Sequence, residues 1–162
     1  MNPNLPLVQY IGVKLVHAQP MTLGDYNTFR GWKIPADEDP GTQGYLVIYP
    51  DGYKSWCPKE QFEAANRPAE GMSFGHAIEA AKQGLKITRS GWNGKGMFVV
   101  YQKGYPDGIP CNKQTAEAYG IAEGSLVKVR PYLQMYCADG ALQMWLASQS
   151  DILADDWKVF RE

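Results

Sequence analysis

The sequence is short of the residues that metal sites and common active sites need. Its three cysteines and two histidines stand apart without a CxxC, Cys/His or HExxH pattern, which argues against a disulfide framework and a metal site. No serine or cysteine lies in a GxSxG context, and no GxxxxGK[ST] phosphate loop occurs. We therefore expect no metal, no cofactor and no catalytic residue, and an odd number of separated cysteines fits a reducing cytoplasm.

Long apolar runs and an excess of one charge are also missing. No stretch approaches the roughly 18 apolar residues of a membrane helix, and residues 1–6 lack the basic region of a signal peptide, so we expect a soluble chain that is not exported. Sixteen Lys and Arg against seventeen Asp and Glu give a net charge of −1, which argues against long DNA or RNA as a partner. Aromatic residues are abundant, with five Trp and ten Tyr, and these are favoured both in stacking sites and at protein interfaces.

The first part of the chain, residues 8–67, predicts a β-α-β-β-α unit. The turn sequence Pro50-Asp51-Gly52 between two aromatic runs is a strong hairpin signal. The predicted elements are a strand Tyr10–Ala18 ended by Pro20, a helix Leu23–Arg30 capped by Thr22, a hairpin of Tyr45–Tyr49 and Tyr53–Cys57, and a helix from Pro58 to about Asn66. The polar, helix-stopping stretch 67–71 predicts the boundary to a second unit.

The second part, residues 71–162, predicts an unlike unit of helices and antiparallel strands. Its clearest element is an amphipathic helix capped by Ser73, with Phe74, Ala77, Ile78 and Ala81 on one face and Gly84 at its end. Further predictions are strands Leu85–Arg89 and Met97–Gln102, a turn Tyr105–Pro110, a helix Lys113–Tyr119, a hairpin of Leu126–Cys137 and Ala141–Ala147, a helical turn capped by Ser150 or Asp151, and a strand Trp157–Phe160. The predicted class is α+β, with small antiparallel sheets and short helices in two unlike units.

The loop from Gly91 to Gly96 is a candidate anion site. Its three glycines and Asn93 tolerate positive φ, so its amides would turn toward one point, and Lys95 would add charge. The alternative is a glycine-rich hairpin in which Trp92 only covers the core. Spacing alone leaves both open.

Three tryptophans and an acidic segment form a second candidate constellation. Trp92, Trp145 and Trp157 would sandwich a base, each stacking contact contributing roughly 1 to 3 kcal/mol, or would simply pack in the core. The segment Ser148–Asp151 would offer free amides at a helix start, or only cap that helix. Asp155 and Asp156 would accept from ribose hydroxyls or an adenine amino group, or form a solvated acidic pair.

Taken together, these motifs resemble a phage protein family. The resemblance covers residues 71–161 and depends on Met72, Phe74, Ala77, Ile78 and Gly84, on Arg89 with the run Gly91-Trp92-Asn93-Gly94-Lys95-Gly96-Met97, and on Trp145, Ser148-Gln149-Ser150-Asp151-Ile152-Leu153-Ala154 and Asp156-Trp157. In that order and spacing they are similar to the second Thoeris anti-defense family. The first unit resembles an N-terminal extension found on such phage proteins.

The resemblance implies a binding protein and no enzyme. Its members are sponges that hold cyclic ADP-ribose isomers, and in some cases cyclic oligonucleotides, without cleaving them, as homotetramers with pockets between subunits. Such a protein would act in the cytoplasm of the infected bacterium. From the motifs and the resemblance together, we expect the ligand-binding residues to be Arg89, Trp92, Asn93, Gly94, Lys95, Met97, Trp145, Ser148, Asp151, Ala154, Asp155 and Asp156.

Two other functions fit the residues. One is a nucleotide hydrolase or glycosidase in which Asp151, Asp155 or Asp156 acts as general acid or base. The other is a phage structural or adaptor protein whose aromatics serve oligomer contacts. The family pattern has Asn where this chain has Asp155, and an anionic side chain there would oppose a nearby phosphate, so ligand identity stays open.

Overall fold

The structure is a computed structural model that describes residues 13–161. These residues pack into two compact units that divide between Arg67 and Pro68. Both units combine short helices with antiparallel sheet, which confirms the predicted α+β class. Whether each unit is an independent domain stays a prediction.

The described part of the first unit is a three-stranded antiparallel sheet with two helices. The strand order is β1-β2-β3, and the register pairs Ala18 with Val47 and Leu46 with Trp56. The elements are β1 (His17–Pro20), α1 (Leu23–Arg30), β2 (Gly44–Ile48), β3 (Lys54–Pro58) and α2 (Lys59–Ala65). The predicted hairpin is confirmed, while Pro58 precedes the second helix as its N-cap and does not lie in its first turn.

Local signals define α1 completely, whereas β1 needs a partner strand. The hydroxyl of Thr22 accepts a hydrogen bond from the Asp25 amide, and Gly31 ends the helix at φ 68°, as predicted. The strand predicted from Tyr10 begins only at His17, where pairing with β2 begins; residues 10–12 lie outside the described residues. The strand ends at Pro20, as predicted, and it includes that proline because β1 is an edge strand and tolerates a missing donor.

The second unit contains a six-stranded antiparallel sheet and a separate two-stranded one. Their orders are β10-β9-β6-β5-β11-β4 and β7-β8. The elements are β4 (Glu70–Met72), α3 (Phe74–Lys82), β5 (Ile87–Arg89), β6 (Phe98–Gln102), β7 (Tyr105–Pro110), α4 (Lys113–Tyr119), β8 (Leu126–Val129), β9 (Tyr132–Tyr136), β10 (Leu142–Met144), α5 (Gln149–Ile152) and β11 (Trp157–Val159).

Two predicted elements of this unit are wrong. Residues 126–137 form two strands, because Pro131 interrupts the run and β8 joins β7 while β9 joins the large sheet. The segment Tyr105–Pro110, predicted as a turn, is strand β7. Its turn residues survive as an irregularity in register between Tyr105 and Ile109, where Gly108 has φ 97°.

The core of the second unit lies between α3 and one face of the large sheet. Ala77 is completely buried on the helix, and Ile87, Val99 and Trp157 are completely buried on the sheet. Small alanines let the helix lie close to the strands. Ser73 occupies the predicted N-cap position, but its hydroxyl contacts Nδ1 of His76 at 2.7 Å and makes no capping bond to the backbone.

No helix within residues 13–161 has both the length and the apolar character needed to cross a bilayer.

Candidate functional site

The carboxylate of Asp151 is the centre of the candidate site. Its Oδ1 accepts hydrogen bonds from Arg89 Nη1 at 2.8 Å and from Trp92 Nε1 at 3.1 Å. Its Oδ2 accepts from the hydroxyl of Ser148 at 2.6 Å and from the Ser148 amide at 3.1 Å. Asp151 is 8% exposed, so four donors compensate a nearly buried charge. The site therefore joins the two sequence motifs through one acidic side chain.

Helix α5 places Asp151 at this point. Ser148 is its N-cap and Asp151 its third residue, and the two form a reciprocal capping box. The prediction that Ser150 or Asp151 is the cap is wrong, because only a cap at Ser148 lets the Asp151 carboxylate return to the cap amide. The capping interpretation of this segment is confirmed.

A second carboxylate, Asp156, holds the beginning of the glycine loop. Its Oδ1 accepts from Arg89 Nε at 2.7 Å, and its Oδ2 accepts from the amide of Gly91 at 2.7 Å. Of the glycines and the asparagine in the loop, only Gly96 has a positive φ, at 73°. The first loop amide therefore does meet an anion, as the sequence suggested, but that anion is the protein's own side chain.

The tryptophans form an edge-to-face cluster. Trp92 and Trp145 have ring centroids 5.9 Å apart at 71°, and Trp92 and Trp157 are 5.4 Å apart at 77°. Trp157 is completely buried and donates to the backbone carbonyl of Asp151 at 2.8 Å. It is unavailable to a ligand, so the predicted three-tryptophan sandwich is wrong, whereas Trp92 and Trp145 are each half-buried.

The electrostatics of the site fix both carboxylates in the ionised form. Burial pushes the pKa of Asp151 upward, but hydrogen bonds from Ser148, Arg89 and Trp92 outweigh it and lower the pKa to about 2. The hydrogen bond from Arg89 lowers the pKa of Asp156, and the same two carboxylates raise the pKa of the Arg89 guanidinium. Neither Asp151 nor Asp156 holds a proton near neutral pH, which disfavours both as general acids.

A depression of about 330 Å³ lies beside this hydrogen-bonded cluster. Four residues from the sequence prediction contribute to its wall, namely Arg89, Trp92, Gly94 and Met97, and they are joined by Glu70, Thr88, Ser90, Gly96, Lys158, Val159, Phe160 and Arg161. The lining residues after residue 157 were not predicted from the sequence. The alternation of Trp157, Lys158 and Val159 along a strand was the available signal, because it directs Lys158 away from the core.

The other predicted residues occupy the margins. Asn93, Lys95 and Asp155 are exposed, and Ala154 is partly buried against the core. A Cβ at Gly94 would collide with Met97, so the loop is closed tightly at that position. Within residues 13–161, no group of three or more metal-ligating side chains converges.

Comparison with known proteins gives two matches. A family described as the Thoeris anti-defense 2-like domain matches residues 72–160, within the second unit. The Thoeris anti-defense 2 protein of Bacillus phage SP01 is 34% identical over 91 residues, which cover 54% of this chain and 93% of that protein.

Proposed function

The chain belongs to the Thoeris anti-defense 2-like family, and from this premise we propose that it is a sponge: it binds a cyclic nucleotide immune signal and releases it unaltered. Its role is phage anti-defense, exerted in the cytoplasm of the infected bacterium. The ligand class is the one that the family resemblance implies, cyclic ADP-ribose isomers such as glycocyclic ADP-ribose, with cyclic oligonucleotides as further ligands.

The position of Trp92 carries this proposal. Its half-buried indole lines the depression, and its N–H donates a hydrogen bond to Asp151, which holds the ring in place. A ring held in one orientation loses little conformational entropy when a base stacks on it. Sequestration requires such tight, preorganised binding, and it requires no proton transfer.

Ionised, fully engaged carboxylates support binding without cleavage. Asp151 and Asp156 both form ion pairs with Arg89. A role as general acid or base would break these ion pairs, which hold the site together. Asp155, the remaining acidic candidate, is exposed and outside the residues that line the depression. The hydrolase alternative therefore has no supporting group in this arrangement.

Self-association into a homotetramer is part of the proposal. Large apolar side chains stand exposed along the stretch that contains α5: Leu142, Met144, Leu146, Ile152 and Leu153 are between 48% and 93% exposed. Such side chains are costly in water and typical of surfaces that another chain covers. Partner subunits seated there would enclose a ligand that one small unit only partly surrounds.

Calorimetry of the full chain with glycocyclic ADP-ribose and with a cyclic dinucleotide tests the function. Trp92→Ala is expected to lose roughly 1 to 3 kcal/mol of binding free energy with the fold retained, and Trp92→Phe to lose less. Trp32→Ala is the matched control, because Trp32 is 54% exposed in the first unit. Heat denaturation should return intact ligand. The proposal is contradicted if neither ligand binds, or if a cleaved product is recovered.

A further inference from the structure

Part of the wall of the depression comes from side chains on the sheet face that points away from α3. Lys158 on β11 is paired in register with Thr88 on β5 and with Glu70 on β4, so the three side chains form a row across neighbouring strands. Their neighbours Trp157, Val159 and Ile87 point the other way, into the core. Lys158 and Arg161 thus line the depression with side chains that lie outside the core of the unit.

The positively charged side chains that line the depression differ in whether a carboxylate forms an ion pair with them. The charge of Arg89 is matched twice over, by Asp151 at 2.8 Å and by Asp156 at 2.7 Å. Lys158 and Arg161 form no ion pair with any residue of the described range 13–161. Even Glu70, the register neighbour of Lys158, has no oxygen within salt-bridge distance of it. Within the part of the chain that the structure describes, Lys158 and Arg161 therefore line the same depression without a paired carboxylate.

We propose that Lys158 and Arg161 bind the phosphate groups of the ligand, so that the depression accepts a diphosphate whose base stacks on Trp92. This proposal rests on the proposed function and assigns the phosphate end of the same site. Arg89, predicted from the sequence to bind the ligand, is instead a positioning residue, since its Nε and Nη1 already donate to Asp156 and Asp151.

Charge and size both fit this ligand class. Lys158 and Arg161 supply two positive charges and Glu70 one negative charge, so these three wall residues carry a net charge of +1 and favour an anionic ligand. A volume of about 330 Å³ lies at the lower end of the range for small-molecule sites, enough for part of a dinucleotide. Met97 and Phe160 add apolar surface at the wall. The negative charge of Glu70 repels phosphate and lowers the affinity for it, so removal of this charge should strengthen binding.

The test titrates the full chain and its variants with glycocyclic ADP-ribose and, separately, with inorganic pyrophosphate. Lys158→Gln and Arg161→Gln are each expected to weaken binding of both probes about tenfold, as loss of one charge-assisted hydrogen bond does. Glu70→Gln should tighten binding about threefold, and Lys158→Arg should retain it. Lys128→Gln is the control, since Lys128 is exposed on β8, outside the depression, and should leave affinity unchanged. Unchanged amide spectra establish that each variant is folded.

The outcomes separate this inference from the proposed function. If the nucleotide binds and Trp92→Phe weakens it while Lys158→Gln and Arg161→Gln match the Lys128→Gln control, the phosphate assignment is overturned and the sponge stands. If pyrophosphate binds through both cations but no cyclic nucleotide does, the assignment stands and the sponge is overturned. If neither probe binds, both are overturned.

Discussion

At the residue scale, the site depends on hydrogen bonds between side chains that lie far apart in the sequence. Arg89, Trp92 and Asp151 were all identified from motifs, yet the hydrogen bonds that join them span 59 and 62 residues of chain. No local pattern encodes which carboxylate an arginine meets across such a distance. Asp151 and Asp156 were therefore expected to face a ligand, whereas the structure uses both to hold Arg89 and the loop.

Asp151 should make the stability of the second unit sensitive to acid. Its pKa is lowered from 3.8 to about 2, so its contribution is complete above about pH 4 and is lost as the pH falls through 2, a change of about 2 kcal/mol. Asp151→Asn should remove this acid dependence and cost about 3 kcal/mol at neutral pH, because it breaks a nearly buried ion pair. Urea unfolding at several pH values measures both effects.

The exposed neighbour Asp155 supplies the control for that experiment. Asp155→Asn should cost less than about 0.5 kcal/mol at neutral pH, because its side chain is exposed. The indole N–H resonance of Trp92, which is bonded to Asp151, should move near pH 2 in this variant as in the unchanged chain. If the stability of the Asp151→Asn variant and that of the unchanged chain fell equally at low pH, the acid sensitivity would not be due to Asp151.

Gly91 is a position where a single methyl group should disturb the site. A Cβ there would lie 2.9 Å from Oδ2 of Asp156 and 3.6 Å from Nη2 of Arg89, so Gly91→Ala should cost about 1 to 2 kcal/mol by displacing the carboxylate. Gly75→Ala is the contrast, since the nearest atom is 3.9 Å away and alanine favours the helix by about 0.5 to 1 kcal/mol. Thermal unfolding measures the change in stability of both variants. Equal changes in Gly91→Ala and Gly75→Ala would contradict the steric argument.

At the element scale, two helices were predictable to the residue from local signals, whereas the limits of two strands were not. Helix α1 and helix α4 match the predicted ranges because their caps are local: Thr22 begins one, and Gly31 and Gly120 end the two in the left-handed region. Strand limits depend on where a partner begins and ends, which is why the strand expected from Tyr10 is short and the one expected over 126–137 is divided.

The two serine caps provide an element-scale prediction. Ser148→Ala removes a capping box and a donor to Asp151, so it should cost about 1 to 2 kcal/mol. Ser73→Ala should cost less than about 0.5 kcal/mol, because that hydroxyl makes no capping bond to α3. Chemical denaturation and amide exchange over residues 149–152 distinguish them. A Ser73→Ala loss as large as the Ser148→Ala loss would contradict the structure.

At the scale of the whole molecule, the proposed tetramer is the property to test. Leu146 is 93% exposed, so Leu146→Glu should reduce the assembly to smaller species without changing the unfolding free energy of the subunit by more than about 0.5 kcal/mol. Tyr119→Glu, at a site 79% exposed on α4, should leave the assembly intact. Native mass spectrometry gives both masses, and a monomeric unaltered chain would refute the tetramer.

The large sheet also determines how the second unit can be connected to other chains. Its first strand, β4, is hydrogen-bonded to its last, β11, so the points where a polypeptide enters and leaves the unit are neighbours in space. The chain therefore enters and leaves the second unit on the same side, at the β4 edge of the sheet. An added segment at either end then starts from the same place, which makes the unit suited to recombination with unrelated modules and to circular permutation.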